Sequence, residues 1–89
     1  MSWSIELSKD ADKFLKKNQQ VEENIIDEIK KFIQKLEGDT VSINIKKLAG
    51  SWQGYYRIRK GKIRIIIELD ETKETIYVEN IDFRGNVYK

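Results

Sequence analysis

The sequence contains no cysteine, no histidine and no proline. Without cysteine it has no disulfide, no thiolate nucleophile and no cysteine-ligated metal. Without histidine it has no Ser-His-Asp triad, no His–His acid–base pair for RNA cleavage and no zinc site of ordinary composition. The longest purely apolar run is residues 65–67, and the N-terminus lacks the basic start and apolar core of a signal peptide. We therefore expect a cytoplasmic protein with no cysteine-ligated metal, no ordinary zinc site and no membrane-spanning segment.

The charge of the chain is concentrated in one segment. The 89 residues are 36% charged and 39% hydrophobic, with a net charge of only +2, which is typical of a small soluble domain. Between Lys46 and Arg64, however, there are seven basic residues and no acidic one. No linker, repeat or low-complexity tract divides the sequence. A single domain over residues 1–89 with one strongly basic segment is expected.

The hydrophobic pattern of the first half predicts a strand and two helices. Residues 3–7 alternate apolar and polar side chains, as a half-buried strand does. Ser8 is a favourable N-cap for a first helix that ends near Asn18. The second helix has apolar residues at helical spacing along one face, and Gly38 ends it.

The second half is predicted to form strands. They cover residues 55–59, 62–69 and 75–82, with Lys60-Gly61 as a two-residue hairpin turn. The order of elements predicts an α+β fold, in which an N-terminal strand and two helices precede an antiparallel three-stranded meander. In such a fold the helices cover one face of the sheet.

The predicted hairpin has a strongly basic face. A turn at Lys60-Gly61 places Arg59 opposite Lys62 and Arg57 opposite Arg64, and like charges in such pairs are destabilising by roughly a few tenths to 1 kcal/mol. The face is therefore either a solvated surface with counter-ions or a platform for a phosphate-bearing polyanion. The aromatic residues near it that are able to stack on unpaired bases are Trp52, Tyr55, Tyr77 and Tyr88.

Glu79 and Asp82 are candidates for a catalytic carboxylate pair in the second half of the sequence. A regular strand over residues 75–82 places Glu79 and Asp82 on different faces, because side chains alternate along a strand. On this basis we interpret both as surface residues.

The segments KKLAGSWQGYYRIRKGKIRIII and IDFRGNVYK resemble the RelE family of toxins from toxin–antitoxin pairs. The matching positions, in order, are Lys47, Leu48, Gly50, Tyr56, Arg57, Arg59, Gly61, Arg64, Arg84, Val87 and Tyr88. The predicted order of strands and helices also agrees with that family, so that the resemblance extends over nearly the whole chain.

The resemblance implies an endoribonuclease that cleaves mRNA in the ribosomal A site without a metal. The 2′-hydroxyl attacks the adjacent phosphorus, and catalysis depends on positioning the RNA and stabilising the charge of the phosphorane. The partner that the resemblance implies is a RelB-like antitoxin that covers the basic sheet face, with DNA bound only through that antitoxin.

The roles of individual residues are also implied by the resemblance. Phosphate-binding roles fall on Arg57, Arg59 and Arg64, since a guanidinium grips two oxygens at once. Arg84 is the candidate for stabilising the transition state or the leaving oxygen, and Tyr88 for orienting the nucleotide. Lys47 is expected to contact the RNA backbone, and Lys60 and Lys62 are further RNA-binding candidates.

The sequence departs from the family where proton transfer is concerned. Well-characterised members have lysines near positions 57 and 59, and an arginine does not act as a general base. Lys60 and Lys62 are the nearby alternatives, and a cluster of cations lowers a lysine pKa in the direction that a base needs. Phe83 stands where many relatives have a histidine. Two other functions therefore stay open: a ParE-type toxin that poisons gyrase, and a catalytically decayed module that binds RNA or an antitoxin.

Overall fold

A computed structural model describes residues 3–83 of the chain. The elements in chain order are β1 (Ser4–Leu7), α1 (Lys9–Lys17), α2 (Gln19–Leu36), β2 (Asn44–Lys47), a 3-10 turn (Gly50–Trp52), β3 (Tyr55–Lys60), β4 (Ile63–Asp70) and β5 (Thr75–Phe83). The five strands form one sheet in the order β1-β5-β4-β3-β2. Strand β1 runs parallel to β5, and the other pairs are antiparallel. The predicted α+β fold is confirmed.

The helices begin and end as their capping residues predict. Ser8 accepts a hydrogen bond from the backbone N–H of Ala11 at 3.0 Å and donates one to the carbonyl of Glu79 at 2.7 Å. It therefore caps α1 and ties that helix to β5. Helix α2 ends at Leu36, and Gly38 follows with a φ of +98°, in the left-handed region that glycine adopts without strain. Within residues 3–83, neither helix combines the length and hydrophobicity needed to cross a bilayer.

The core lies between the two helices and one face of the sheet. Its buried members are Ala11, Leu15, Ile25, Ile29, Phe32, Ile58, Ile63, Ile65, Ile67, Ile76, Val78 and Ile81. The alternation of residues in β3 and β4 thus sends Ile58, Ile65 and Ile67 toward the helices. Glu28 is the one charged residue buried among the described residues. Its Oε2 forms ion pairs with the Nζ of Lys31 at 3.1 Å and the Nζ of Lys60 at 3.8 Å. We call the opposite, helix-free side of the sheet the outer face.

The predicted hairpin turn was wrong by one residue. Lys60 pairs with Ile63, so the two-residue loop is Gly61-Lys62 and not Lys60-Gly61. Gly61 has a φ of +59°, and a type II′ hairpin turn requires a positive φ at its first loop position. The change moves every cross-strand partner by two residues, and this preserves the face of each side chain.

Strand β2 was missed by the sequence analysis. It pairs with β3 and forms one edge of the sheet. The sequence did contain the corresponding pattern, because Val41, Ile43 and Ile45 alternate with polar residues. Ile45 packs against the core beside Ile58, its partner in the register.

Candidate nucleic-acid interface

The outer face carries its polar side chains in rows that cross the strands. One row consists of Lys46, Arg57, Ile66 and Asn80, and the next of Asn44, Arg59, Arg64 and Asp82. Neighbouring strands in a sheet are about 4.8 Å apart, and successive residues on one face of a strand about 6.6 Å. Arg57, Arg59 and Arg64, predicted from the sequence as site residues, therefore lie together on one surface.

Two of these arginines line a cleft on the outer face. The cleft has a volume of about 340 Å³ and is bordered by Leu48, Trp52, Arg57, Arg64, Ile66 and Asn80. Leu48 and Trp52 come from the connection between β2 and β3, which forms one wall above the sheet. We call this site the arginine cleft. Its combination of an aromatic ring, apolar walls and two guanidinium groups suits a nucleotide.

A larger groove lies elsewhere and has the wrong charge for a phosphate. It measures about 680 Å³ and is lined by Trp3, Leu36, Glu37, Glu71 and Glu74. Three carboxylates repel a polyanion. Charge, and not size, therefore selects the arginine cleft as the candidate site.

Arg64 is held in place by a carboxylate that the sequence analysis assigned to the general surface. Its Nε donates to Oδ1 of Asp82 at 3.2 Å, and its Nη2 donates to Oδ2 at 2.9 Å. The side chains of Arg64 and Asp82 are only 21% and 29% exposed. This two-pronged pair fixes the plane of the guanidinium and neutralises its charge. Asp82 is thus part of the site.

The cross-strand repulsion predicted for the hairpin is smaller than expected. Only Arg59 and Arg64 are directly opposite each other, while Arg57 faces Ile66 and Lys62 lies in the exposed turn. Asp82 offsets the charge of Arg64 on the other side. The Nε of Arg59 is buried and has no hydrogen-bond partner in the stretch from residue 3 to residue 83. The Nε of Arg59 is thus an unused donor next to Arg64, in the row adjoining the cleft.

The three lysines named as RNA-binding candidates lie outside the cleft. Lys47 is the cross-strand partner of Tyr56, and the ring of Tyr56 is 5.6 Å from that of Phe32 in α2. Cross-strand partners lie on the same face of a sheet, so Lys47 is on the helix side. Lys60 also points to the helix side, where it contacts Glu28, and Lys62 is exposed in the turn. Lys46 takes the outer-face position beside Arg57 instead. The lysines proposed as general bases are therefore not among the residues that border the cleft.

A β-bulge changes which carboxylates reach the outer face. Ile66 pairs with Asn80 but Ile67 pairs with Val78, which leaves Glu79 as an extra residue in β5. The prediction that Glu79 and Asp82 lie on different faces was wrong, because it assumed a regular strand. Asp82 lies beside Arg64 on the outer face, and Glu79 is close enough to Tyr55 on that face to perturb its ionisation.

The outer face is acidic on the side of the cleft away from the hairpin turn. There Tyr55 is opposite Glu68, which in turn is opposite Tyr77. Burial raises the pKa of the Tyr55 hydroxyl above its usual value of 10.0, and the charges of Glu68 and Glu79 raise it further. Tyr55 is consequently protonated at neutral pH, and this end of the face repels phosphate.

The remaining predicted positions fall at the end of β5 or beyond it. Phe83 packs its ring 5.1 Å from that of Phe14, so position 83 belongs to the core side of the sheet. Arg84 and Tyr88 lie outside the described residues. Within residues 3–83, no group of three or more acidic side chains is arranged to hold a metal ion.

Comparison with known structures gives the same fold as the sequence resemblance. No protein-family model matches the chain, and no curated protein sequence does. A chain of the RelB–RelE antitoxin–toxin complex from Methanococcus jannaschii is 28% identical, with a TM-score of 0.69 over 93% of this chain and 94% of that one. A chain of the Escherichia coli DinJ–YafQ toxin–antitoxin complex is 17% identical, with a TM-score of 0.70 over 100% of both chains. A metal-bound toxin from Helicobacter pylori is 13% identical, with a TM-score of 0.73 over 97% and 99%.

The chain therefore shares its fold with these toxin chains. The strand–helix–helix–sheet arrangement of this chain is also the fold of toxin chains from toxin–antitoxin complexes. Within that class, the predicted resemblance to the RelE family is confirmed.

Proposed function

We propose that this protein is the toxin of a type II toxin–antitoxin pair and cleaves mRNA in the ribosomal A site. The observation that carries the proposal is the arginine cleft, in which Arg57 and Arg64 border one concave site beside an exposed indole, Trp52. Such a site is suited to a single-stranded RNA, whose phosphates bind guanidinium groups and whose unpaired bases stack on aromatic rings. Since ribosomes and their mRNA are in the cytoplasm, the proposed substrate implies that the protein acts there.

The proposed reaction uses the RNA's own nucleophile. The 2′-hydroxyl attacks the adjacent phosphorus, the bond to the 5′-oxygen breaks, and the products end in a 2′,3′-cyclic phosphate and a 5′-hydroxyl. Arg57 and Arg64 hold the non-bridging oxygens, whose negative charge increases in the phosphorane, and guanidiniums in fixed positions stabilise that charge without rearrangement. Asp82 keeps Arg64 in its orientation.

Other residues complete the proposal. Arg59 binds a neighbouring phosphate, because it lies next to Arg64 in the row adjoining the cleft. Arg84 stabilises the leaving oxygen and Tyr88 orients the nucleotide, as the family resemblance implies. Lys47, Lys60 and Lys62 contact more distant parts of the RNA or ribosome, since none of them borders the cleft.

The proposed partner is a RelB-like antitoxin with an acidic segment. The cations of the outer face, Lys46, Arg57 and Arg59, form a surface that an acidic chain neutralises. A segment that covers them also closes the arginine cleft to RNA. DNA binding belongs to the antitoxin in this proposal.

The test is primer extension on a defined mRNA held in programmed ribosomes. We expect a stop at the A-site codon with the wild-type protein, and its suppression by a stoichiometric antitoxin. The matched assay is supercoiling of plasmid DNA by gyrase. Inhibition of gyrase without mRNA cleavage indicates a ParE-type toxin, and no effect in either assay indicates a module that binds without cutting.

A further inference from the structure

The side chain of Trp52 is unusually open to solvent for its size. It is 47% exposed, and in the part of the chain from residue 3 to residue 83 the one other large hydrophobic side chain classed as exposed is Leu36. Its ring is 5.2 Å from that of Tyr55 and nearly perpendicular to it, at 87°. This edge-to-face contact holds the indole in position without covering it. Because Trp52 also lines the arginine cleft, its exposed face is accessible for stacking on a base.

The arginine cleft is divided into an apolar and a polar part. Leu48, Trp52 and Ile66 provide the apolar walls, while Arg57, Arg64 and Asn80 provide the polar groups. A nucleotide is divided in the same way, into a flat base and a charged phosphate. The volume of about 340 Å³ is near the lower end of the range of small-molecule sites, about 300–1,000 Å³. The cleft therefore fits one nucleotide.

The register of the sheet determines the distance between Arg57 and Asn80, two polar residues of the cleft. Arg57, Ile66 and Asn80 lie side by side on three adjacent strands. Because neighbouring strands are about 4.8 Å apart, the backbones of Arg57 and Asn80 are about 10 Å apart, with Ile66 between them. A nucleotide lying across this row has its phosphate near Arg57 and its base edge near Asn80.

We propose that the arginine cleft is a subsite for one unpaired nucleotide, whose base stacks on Trp52 and whose edge hydrogen-bonds to Asn80, with a preference for adenine. This inference rests on the proposed function and specifies the base it recognises. The amide of an asparagine pairs with the N6 and N7 of adenine through one donor and one acceptor. A purine also covers more of an indole than a pyrimidine does.

The first test measures base stacking without the ribosome. In a Trp3→Phe variant, Trp52 is the one tryptophan left. We expect its fluorescence to be quenched by AMP and not by ribose 5-phosphate, which has the same phosphate but no base. UMP should quench at higher concentration than AMP, and Asn80→Ala should reduce this difference. If Trp3→Phe does not fold, the difference in quenching between the wild type and Trp52→Phe gives the same information.

The second test measures cleavage of A-site codons. Base stacking contributes enough binding that Trp52→Ala should lower kcat/KM by about ten- to a hundredfold. Trp52→Phe, which keeps a smaller ring, should lower kcat/KM less than Trp52→Ala does. Asn80→Ala should reduce the ratio of rates on adenine-containing and uracil-containing codons.

The two tests separate this inference from the proposed function. Quenching by AMP in a protein that cleaves no mRNA supports the subsite and overturns the nuclease. Normal cleavage by Trp52→Ala, or equal quenching by AMP and ribose 5-phosphate, overturns the subsite and leaves the nuclease intact. Unchanged codon preference in Asn80→Ala overturns the role of Asn80 in reading the base.

Discussion

The pair between Arg64 and Asp82 makes a quantitative prediction about stability and anion binding. In Asp82→Asn the carboxylate is replaced by an amide that keeps one of the two acceptors and loses the charge. Hydrogen bonds to charged groups contribute about 1.5–3 kcal/mol, and fully exposed ion pairs about 0.2–1 kcal/mol. Because the two side chains are 21% and 29% exposed, the pair lies between these cases.

We therefore expect Asp82→Asn to lower the free energy of unfolding by about 1–2 kcal/mol. For a domain of this size, that loss lowers Tm by roughly 4–16 °C. Part of this loss of stability comes from the repulsion between Arg59 and Arg64, which Asp82 no longer offsets in the variant. Urea and thermal unfolding, followed by circular dichroism, measure both quantities.

The same variant should bind anions more tightly. With Asp82 neutral, the positive charge of Arg64 is no longer offset by a neighbouring carboxylate, so that inorganic phosphate should raise the Tm of Asp82→Asn more than that of the wild type. The control is Lys16→Gln, which breaks the exposed pair with Asp12 and should cost less than about 1 kcal/mol. Equal stability of Asp82→Asn and wild type, together with equal responses to phosphate, would refute this reasoning.

Three further predictions concern residues around the site. Glu74→Gly should raise the free energy of unfolding by about 0.5–1 kcal/mol in thermal melts, since Glu74 has a φ of +50°, which strains a residue with a Cβ. The free energy of unfolding should fall as the pH rises above 10, because the pKa of Tyr55 is raised in the folded state, which therefore favours the neutral hydroxyl. Tyr55→Phe should reduce this fall. Urea titrations at pH 8 and above pH 10 measure the difference. Phe83→His should destabilise the fold by about 1–3 kcal/mol without increasing mRNA cleavage, because the imidazole would replace a ring packed on Phe14.

Each of these predictions has a result that contradicts it. Lys73→Gly in the same turn should not stabilise the protein, so an equal gain there would remove backbone strain as the reason for the effect of Glu74→Gly. An unchanged alkaline dependence in Tyr55→Phe would assign that dependence to other tyrosines or lysines. Faster cleavage by Phe83→His would place position 83 at the reacting phosphate and not in the core.

The sequence was sufficient for the two helices, for four of the five strands and for the face of most side chains. Alternating residues in β3 and β4 separate Ile58 and Ile65 from Arg57 and Arg64, and this alternation places the isoleucines on the buried face of the sheet. The pairing register needed one further fact, the backbone conformation of Gly61. A glycine is compatible with either position of a two-residue turn, and the sequence alone did not distinguish them.

The role of Asp82 was not predictable from the sequence, because it depends on a bulge. Periodicity places Glu79 and Asp82 on opposite faces, and the inserted residue in β5 brings Asp82 next to Arg64. Bulges are local irregularities that shift the alternation by one residue, and no sequence motif marks this one. The position of Asn80 in the cleft has the same origin.

The central claim is that RNA is cleaved on the outer face, in the arginine cleft. The most direct test compares single-turnover cleavage of A-site mRNA by two charge-matched variants: Arg57→Gln, which alters the cleft, and Lys17→Gln, which alters an exposed position on α1. Loss of one group that stabilises the transition state should slow Arg57→Gln by about 10²- to 10³-fold, while Lys17→Gln should cleave at the wild-type rate. Equal rates for the two variants would contradict the account and place the reaction elsewhere on the protein.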